Sequence, residues 1–483
     1  MPKPKYPKIA QLRTVEKLQE RLSQLGVSIP CDDKLLSAVD GSPLAQPLAF
    51  GGMQISNRWC IHPMEGWDAN RDGTPTDLTL RRWRRFGESG AKLIWGGEAA
   101  AVVPRGRANP NQTLGTTGNE AGLRQLLETL TAAHSEFDST DGLVVGLQLT
   151  HSGRFCKPND HKKWEPLIAY HHPILDKKFG IAADDDSVVI TDDDLERLID
   201  AYVESAKLAQ RIGFQFVDIK ACHGYLLHEL LSARTRPGKF GGDLDGRSRV
   251  LRTAIARVKE ECPGLGIGVR MSLFDMLPFQ KGQEHGEPAE WNGADYPHGF
   301  GLDSKQPLEM DLAEPIELVK LLVQEGVSTL NFSCGSPYYN PHIQRPAIFP
   351  PSDGYLPPED PLVGVARQIR AVAMMKEAFP ELAIVGSGYT YLQEFLPQVA
   401  QACVAMGLVD VVGLGRMVLS HPTMPRDSLA GNAPTRKLVC RTFSDCTTAP
   451  RNGIVSGCYP LDEHYKTMPE RKQVQDFKAS MES

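Results

Sequence analysis

Eight short apolar runs, each followed by polar or helix-forming sequence, limit what this chain can fold into more than any other feature. They lie at 59–63, 92–95, 143–149, 216–220, 266–271, 328–333, 383–385 and 409–414, and are rich in Val, Ile and Leu. Strands that are apolar on both faces belong in a buried parallel sheet. Most of the runs are separated by segments of helical period. One, DDDLERLIDAYVESAKLAQRIG, has acidic residues in its first turn and Gly213 past its end. Another, AEPIELVKLLVQEG, carries Pro315 near its start and stops at Gly326. Eight such units predict an α/β fold, a closed (β/α)8 TIM barrel. A doubly wound open sheet is the rival that pattern alone leaves standing.

Around this pattern the chain divides into three parts. Residues 1–47 read as an N-terminal extension, with a short amphipathic run at 14–25 and then Pro- and Gly-bearing linker. Residues 48–436 form the barrel, and 437–483 a Cys-containing C-terminal tail. The polar, Gly- and Pro-rich stretch 275–309 interrupts the rhythm. It is expected to be a long insertion after the fifth strand, at the barrel mouth where active sites form. A formal charge of −6 with 23% charged residues describes a soluble globular protein without a polyanion-binding footprint. No run is apolar and long enough to span a bilayer, and the basic N-terminus lacks the apolar core of a secretory signal. Ten scattered cysteines indicate a reducing compartment rather than a disulfide framework. The expectation is a cytoplasmic enzyme acting on a small molecule, with neither nucleic acid nor membrane as partner; a homo-oligomer is compatible with it.

The strand ends carry the chemistry. The first ends in His62-Pro63-Met64-Glu65-Gly66-Trp67, the second in Gly97-Glu98-Ala99, and the third is VVGLQLTHSGR with Gln148, His151, Gly153 and Arg154. The fourth runs into DIKACHGYLLHELLSARTR and the fifth is GIGVRMS with Arg270. The last two end in Gly386-Ser387-Gly388 and Gly413-Leu414-Gly415-Arg416. From Asn57 to about Pro422 this series resembles the Old Yellow Enzyme family, closest to its NADH:flavin oxidoreductase and 2,4-dienoyl-CoA reductase branch. The Gln-Leu-x-His-x-Gly-Arg and His-Gly-Tyr-Leu stretches are its most specific parts.

The resemblance implies FMN as cofactor and NAD(P)H as reductant. Pro63, Met64 and Glu65 would meet the flavin edge that gains charge on reduction, where fixed donors favour the reduced ring. Ala99 would lie beside the pyrimidine, and Gln148 would pair with its C=O and N–H, since an amide donates and accepts together. Arg270 would offset negative charge at N1 and O2. Ser387, Gly388, Gly415 and Arg416 would bind the phosphate after strands seven and eight. His223 and Tyr225 match the family's substrate clamp and proton donor. Two donors on a carbonyl oxygen stabilise the enolate formed as hydride reaches the β-carbon. Lys220 departs from the pattern, standing where the family has His or another neutral residue. It reads either as a charged oxyanion donor or as an ion-pair partner of Glu65. Trp67 lines the pocket or packs beside it.

The activity implied is ping-pong reduction of the C=C bond of an α,β-unsaturated carbonyl compound, with Tyr225, His223 and Lys220 as catalytic residues. Two alternatives remain: an FMN-dependent dehydrogenase or demethylase of an amine or alcohol, and a non-redox barrel lyase or isomerase binding a phosphorylated ligand. Relatives bind an iron–sulfur cluster through four cysteines in the tail region; here Cys440, Cys446 and Cys458 stand with Phe443 in the second position. The expectation is that no metal is bound, with a three-Cys cluster or a zinc site as the alternative.

Overall fold

Each apolar run forms a strand, and the eight strands close on themselves. The computed structural model describes residues 6–293 and 295–480; the first five residues of the extension, Ala294 of the insertion and the last three residues of the tail lie outside the described residues. The strands are β1 (Trp59–Ile61), β2 (Leu93–Ile94), β3 (Val144–Thr150), β4 (Phe216–Ile219), β5 (Gly266–Ser272), β6 (Thr329–Ser333), β7 (Ala383–Gly386) and β8 (Val411–Leu414). Each pairs in parallel with the next, and β8 pairs with β1, with Val412 opposite Trp59. Closure removes both sheet edges and excludes the open doubly wound alternative.

Helices α1 (Asp77–Gly87), α2 (Glu120–Ser135), α3 (Asp192–Ile212), α4 (Leu244–Glu261), α5 (Ala313–Gln324), α6 (Pro361–Ala378) and α7 (Leu396–Ala405) follow the first seven strands in turn. The start of α3 shows why the sequence folds here. Thr191 accepts the Asp194 N–H at 3.1 Å, three aspartates face the positive helix end, and Gly213 takes φ +109° to stop it.

The two mouths of the barrel are treated differently. At the N-terminal end an antiparallel hairpin, Leu48–Phe50 with Met53–Ile55, brings Phe50 edge-on to Trp95 and Phe216, all fully buried. Their burial seals that end with apolar surface. The C-terminal mouth is instead walled by the long loops after β5 and β6 and by the tail. The β5 loop carries a small hairpin, Phe279–Lys281 with Gly286–Pro288. Its Asp275 accepts from Tyr339 Oη at 2.5 Å and Asn340 Nδ2 at 2.6 Å, which locks it to the β6 loop.

The N-terminal helix Val15–Gln24 buries Leu18 and Leu22 in the same core as the barrel helices. The tail folds back over the mouth through helices Asp445–Arg451, Glu463–Lys466 and Glu470–Ser480, tied down by Arg81 on Asp462 at 2.8 Å and braced within itself by Lys478 on Asp445 at 2.5 Å. No helix among the described residues is long and apolar enough to cross a membrane.

Candidate active site

A cavity of about 250 Å³ opens at the C-terminal mouth. The residues assigned above to flavin or substrate all line it: Pro63, Met64, Glu65 and Trp67 from the β1 loop, Ala99 after β2, Gln148 on β3, and Lys220, His223 and Tyr225 after β4, whereas His151, Gly153 and Arg154 of the β3 signature do not. Arg270 on β5, Ser387 and Gly388 after β7, and Gly415 and Arg416 after β8 complete the set. Consecutive strand ends of one closed barrel bring together residues that lie up to hundreds of positions apart in the chain.

The floor rests on an acid that the sequence reading passed over. Asp218, fully buried on β4, accepts from Gln148 Nε2 at 2.5 Å and from the Arg270 backbone N–H at 2.7 Å. Burial pushes its carboxyl up to about 6 against those two donors. One amide hydrogen of Gln148 is thereby spent on Asp218, so its other hydrogen and its carbonyl are the groups that can meet a ring C=O and N–H.

Arg270 is 5% exposed and has no carboxylate in salt-bridge contact among the described residues. Its Nη2 reaches Ser387 Oγ at 3.5 Å, and its Nε has no hydrogen-bond partner. A buried guanidinium left in this state suits an anionic ligand. Arg416 Nη1 is likewise without a partner, and so is Nη2 of Arg345, a second arginine in the lining that pattern reading did not find. Burial and the Arg416 charge push Arg345 down to about 9, and its Nη1 donates to Thr447 Oγ1 of the tail at 2.5 Å. These unpaired donors lining one cavity suit a ligand that carries negative charge on a ring and on a phosphate, as FMN does.

The β1 loop is held from below. Buried Glu98 accepts the Gly66 N–H at 2.8 Å and Arg82 Nη2 at 2.7 Å, and Arg82 also holds Asp68 at 2.8 Å. A Cβ on Gly66 would stand 2.2 Å from that guanidinium and 2.4 Å from Asp68 Oδ1, so any larger residue here would displace the ion pair. Trp67 is only partly buried and lines the cavity.

After β4, His223 adopts φ +67°, unusual for a side chain with a Cβ, fixed by its N–H to Ser272 Oγ at 3.1 Å and by Nε2 with Ser333 Oγ at 2.8 Å. The Tyr225 hydroxyl donates to Glu65 Oε2 and lies 3.2 Å from the Tyr338 hydroxyl, a neighbour not foreseen. Burial and the Glu65 charge hold the Tyr225 phenol well above its ordinary range. Lys220 does not form the direct ion pair with Glu65 that one reading envisaged. Its Nζ sits 3.7 Å over the Tyr225 ring, with no carboxylate in salt-bridge contact among the described residues.

The tail adds Cys446, Thr447, Pro450 and Arg451 to the wall. Cys440 and Cys458 are buried and Cys446 partly so, while Phe443 packs on Phe349 with ring centroids 5.6 Å apart. Among the described residues no three His, Cys, Asp or Glu side chains are grouped to hold a metal ion.

Burial keeps several histidines neutral. His62 and His223 at the site, with His172, are held well below the ordinary range, and His151 and His342 fall to about 4 and about 3. Each depressed pKa contributes stability that is present above about 6.5 and is lost as pH falls toward the folded value. Asp218, Glu98 and Glu229 are raised and act in the opposite sense, gaining on protonation. His134, His228, His298 and His421 are lowered as well, so depressed imidazoles outnumber raised carboxylates, and the stability is expected to fall as pH drops from 6.5 to 5. Urea unfolding at stepped pH measures this slope, and a flat profile would show these imidazoles to be solvated.

The model of the NADH:flavin oxidoreductase / NADH oxidase family matches residues 43–295, just over half of the chain. An NADPH dehydrogenase of Bacillus licheniformis is 26% identical over 391 residues, covering 79% of this chain and 93% of its own. An NADH-dependent flavin oxidoreductase of Aspergillus parasiticus is 27% identical over 257 residues, covering 50% of this chain and 56% of its own. A 2-naphthoyl-CoA reductase structure superposes with a TM-score of 0.65 at 18% identity over 90% of this chain and 58% of its own. The chain thus spans somewhat over half the length of the latter two. With an eight-stranded barrel whose mouth gathers Gln148, His223, Tyr225 and Arg270 and a family match across just over half of its length, the chain belongs to the NADH:flavin oxidoreductase / NADH oxidase family, the Old Yellow Enzyme family its motifs resemble.

Proposed function

We propose that this protein binds FMN, accepts reducing equivalents from NAD(P)H, and in a ping-pong cycle reduces the C=C bond of an α,β-unsaturated carbonyl compound. The observation that carries this reading is one cavity in which Lys220, His223 and Tyr225 face the same space as Gln148 and Arg270. FMN, once reduced, supplies the hydride. Pro63, Met64, Ala99, Gln148 and Arg270 would hold its ring, and Ser387, Gly388, Gly415 and Arg416 its phosphate. Lys220 and His223 take the substrate oxygen, where charge develops, and Tyr225 delivers the proton to the neighbouring carbon. His223 is neutral, so it acts as a hydrogen-bond donor and not as a cation. Lys220 over the Tyr225 ring opposes the charge that forms on the phenol as the proton leaves.

Purified protein is expected to be yellow, to bleach anaerobically with NAD(P)H and to recover its colour with cyclohexenone. A preparation that binds no flavin would instead favour a lyase or isomerase on the same barrel.

One observation favours a second reading. Glu65 accepts a hydrogen bond from the Tyr225 hydroxyl, the position of a base serving the oxidation of an alcohol or amine. The lining counts against amines: beside Glu65 it carries Lys220, Arg270, Arg345, Arg416 and Arg451, a field that repels a cationic substrate. Bleaching by an alcohol without NAD(P)H would support this second reading.

A further inference from the structure

We propose that the electron-withdrawing group of the substrate is a carboxylate, so that this enzyme reduces 2-enoates, with Lys220 as the residue that sets this specificity. The inference rests on the ene-reductase reading above. A neutral pair of donors suffices to hold a ketone or aldehyde oxygen, on which a single negative charge grows. Here the strand end carries an ammonium that is 5% exposed, lines the cavity and has no carboxylate within 4 Å among the described residues. The nearest acid, Glu65, is already engaged by the Tyr225 hydroxyl. A buried cation without a partner is unfavourable in the free protein, and it is compensated when the ligand brings the anion.

The chemistry asks for the same charge. Two electrons enter a 2-enoate as a hydride on its β-carbon, the C=C π pair moves toward the carboxylate, and the two oxygens then carry two negative charges. The α-carbon next takes a proton from the Tyr225 hydroxyl, the phenolate regains one from solvent by way of Tyr338, and NAD(P)H is the two-electron donor. A carboxylate is a poor hydride acceptor because its own charge opposes that step. A fixed ammonium cancels the charge in the bound substrate and gains more as the second one forms, while His223 adds a neutral N–H. Burial lowers the Lys220 pKa, and a bound carboxylate restores it.

The test uses FMN-loaded enzyme with two acceptors of one carbon chain, (E)-hex-2-enoate and (E)-hex-2-enal. Wild type is expected to reduce the enoate with kcat/KM at least equal to that for the enal, and the non-reacting hexanoate should perturb the flavin absorbance. Lys220→Met should lower the enoate kcat/KM on the order of 100-fold, and lower it at least 10-fold more than the enal value, whereas Lys220→Arg should retain part of it. Wild type that reduces hexenal but not hexenoate, and shows no hexanoate perturbation, overturns the carboxylate assignment while leaving the ene-reductase reading intact. Equal losses on both acceptors in Lys220→Met overturn it as well. Flavin that NAD(P)H bleaches but neither acceptor reoxidises removes the ene-reductase reading and this inference with it.

Discussion

Tyr225→Phe is expected to slow reoxidation of the reduced flavin by an enone or enoate by roughly 10²–10⁴-fold, the usual contribution of a positioned general acid. Reduction by NAD(P)H requires no proton at the α-carbon and should fall much less. Two features make Tyr225, rather than Tyr338, the residue to remove. Its ring lies under the Lys220 ammonium at 3.7 Å, which favours the phenolate left behind, and it is the phenol joined to Glu65. The Tyr338 hydroxyl lies 3.2 Å from that of Tyr225, and its ring lies beneath the Arg451 guanidinium at 4.5 Å and stacks on Phe155. Tyr338→Phe should therefore cost about 10-fold or less and act through reprotonation. Stopped-flow absorbance of the separate half-reactions, with a solvent isotope effect on the oxidative one, distinguishes the two tyrosines. A Tyr225→Phe enzyme that reoxidises at the wild-type rate would move the proton source elsewhere.

The barrel was legible because a strand buried on both faces leaves an unbroken apolar run, and because β3 and β5 each end in residues too polar to be buried without a ligand or partner. Gln148 and Arg270 stood out for that reason, and both line the cavity. Asp218 did not stand out. A single acid inside a short strand looks like any solvent-facing polar residue until closure shows that its side points into the barrel, onto Gln148. Arg345, Tyr338 and Arg451 were missed for a different cause. They sit on the β6 loop and in the tail, whose conformations follow no period and are set by tertiary contacts such as Arg345 on Thr447. The tail itself was read through its cysteines, although its contribution to the mouth comes from Thr447, Pro450 and Arg451 as well as Cys446.

Arg154 shows that a residue within a recognised signature can serve the fold rather than the pocket. It does not line the cavity, and its side chain is fully buried, with Nε on Glu229 at 2.6 Å, Nη1 on Asp176 and Nη2 on the Tyr170 carbonyl at 3.0 Å. Glu229 lies in the short helix Leu226–Leu231 that Tyr225 begins, so this guanidinium anchors the element carrying the proposed acid. Arg154→Met removes one cation from two buried carboxylates, and breaking such a pair from one side costs about 3–5 kcal/mol.

The loss should depend on pH in a definite direction. Burial already raises the Glu229 carboxyl and Arg154 holds it down, so without Arg154 its folded pKa rises further above the unfolded value. A raised carboxyl pKa gives stability that fades as pH increases, and the variant's deficit is therefore larger at pH 8 than at pH 5.5. Adding Glu229→Gln to Arg154→Met takes away one of the stranded charges and should recover part of the loss, the non-additivity expected of groups in contact. Urea denaturation of the single and double variants at the two pH values measures all of this. A single-variant loss below about 1 kcal/mol, independent of pH, would mean that the triad is solvated and that Tyr225 owes its position to the surrounding aromatic packing instead.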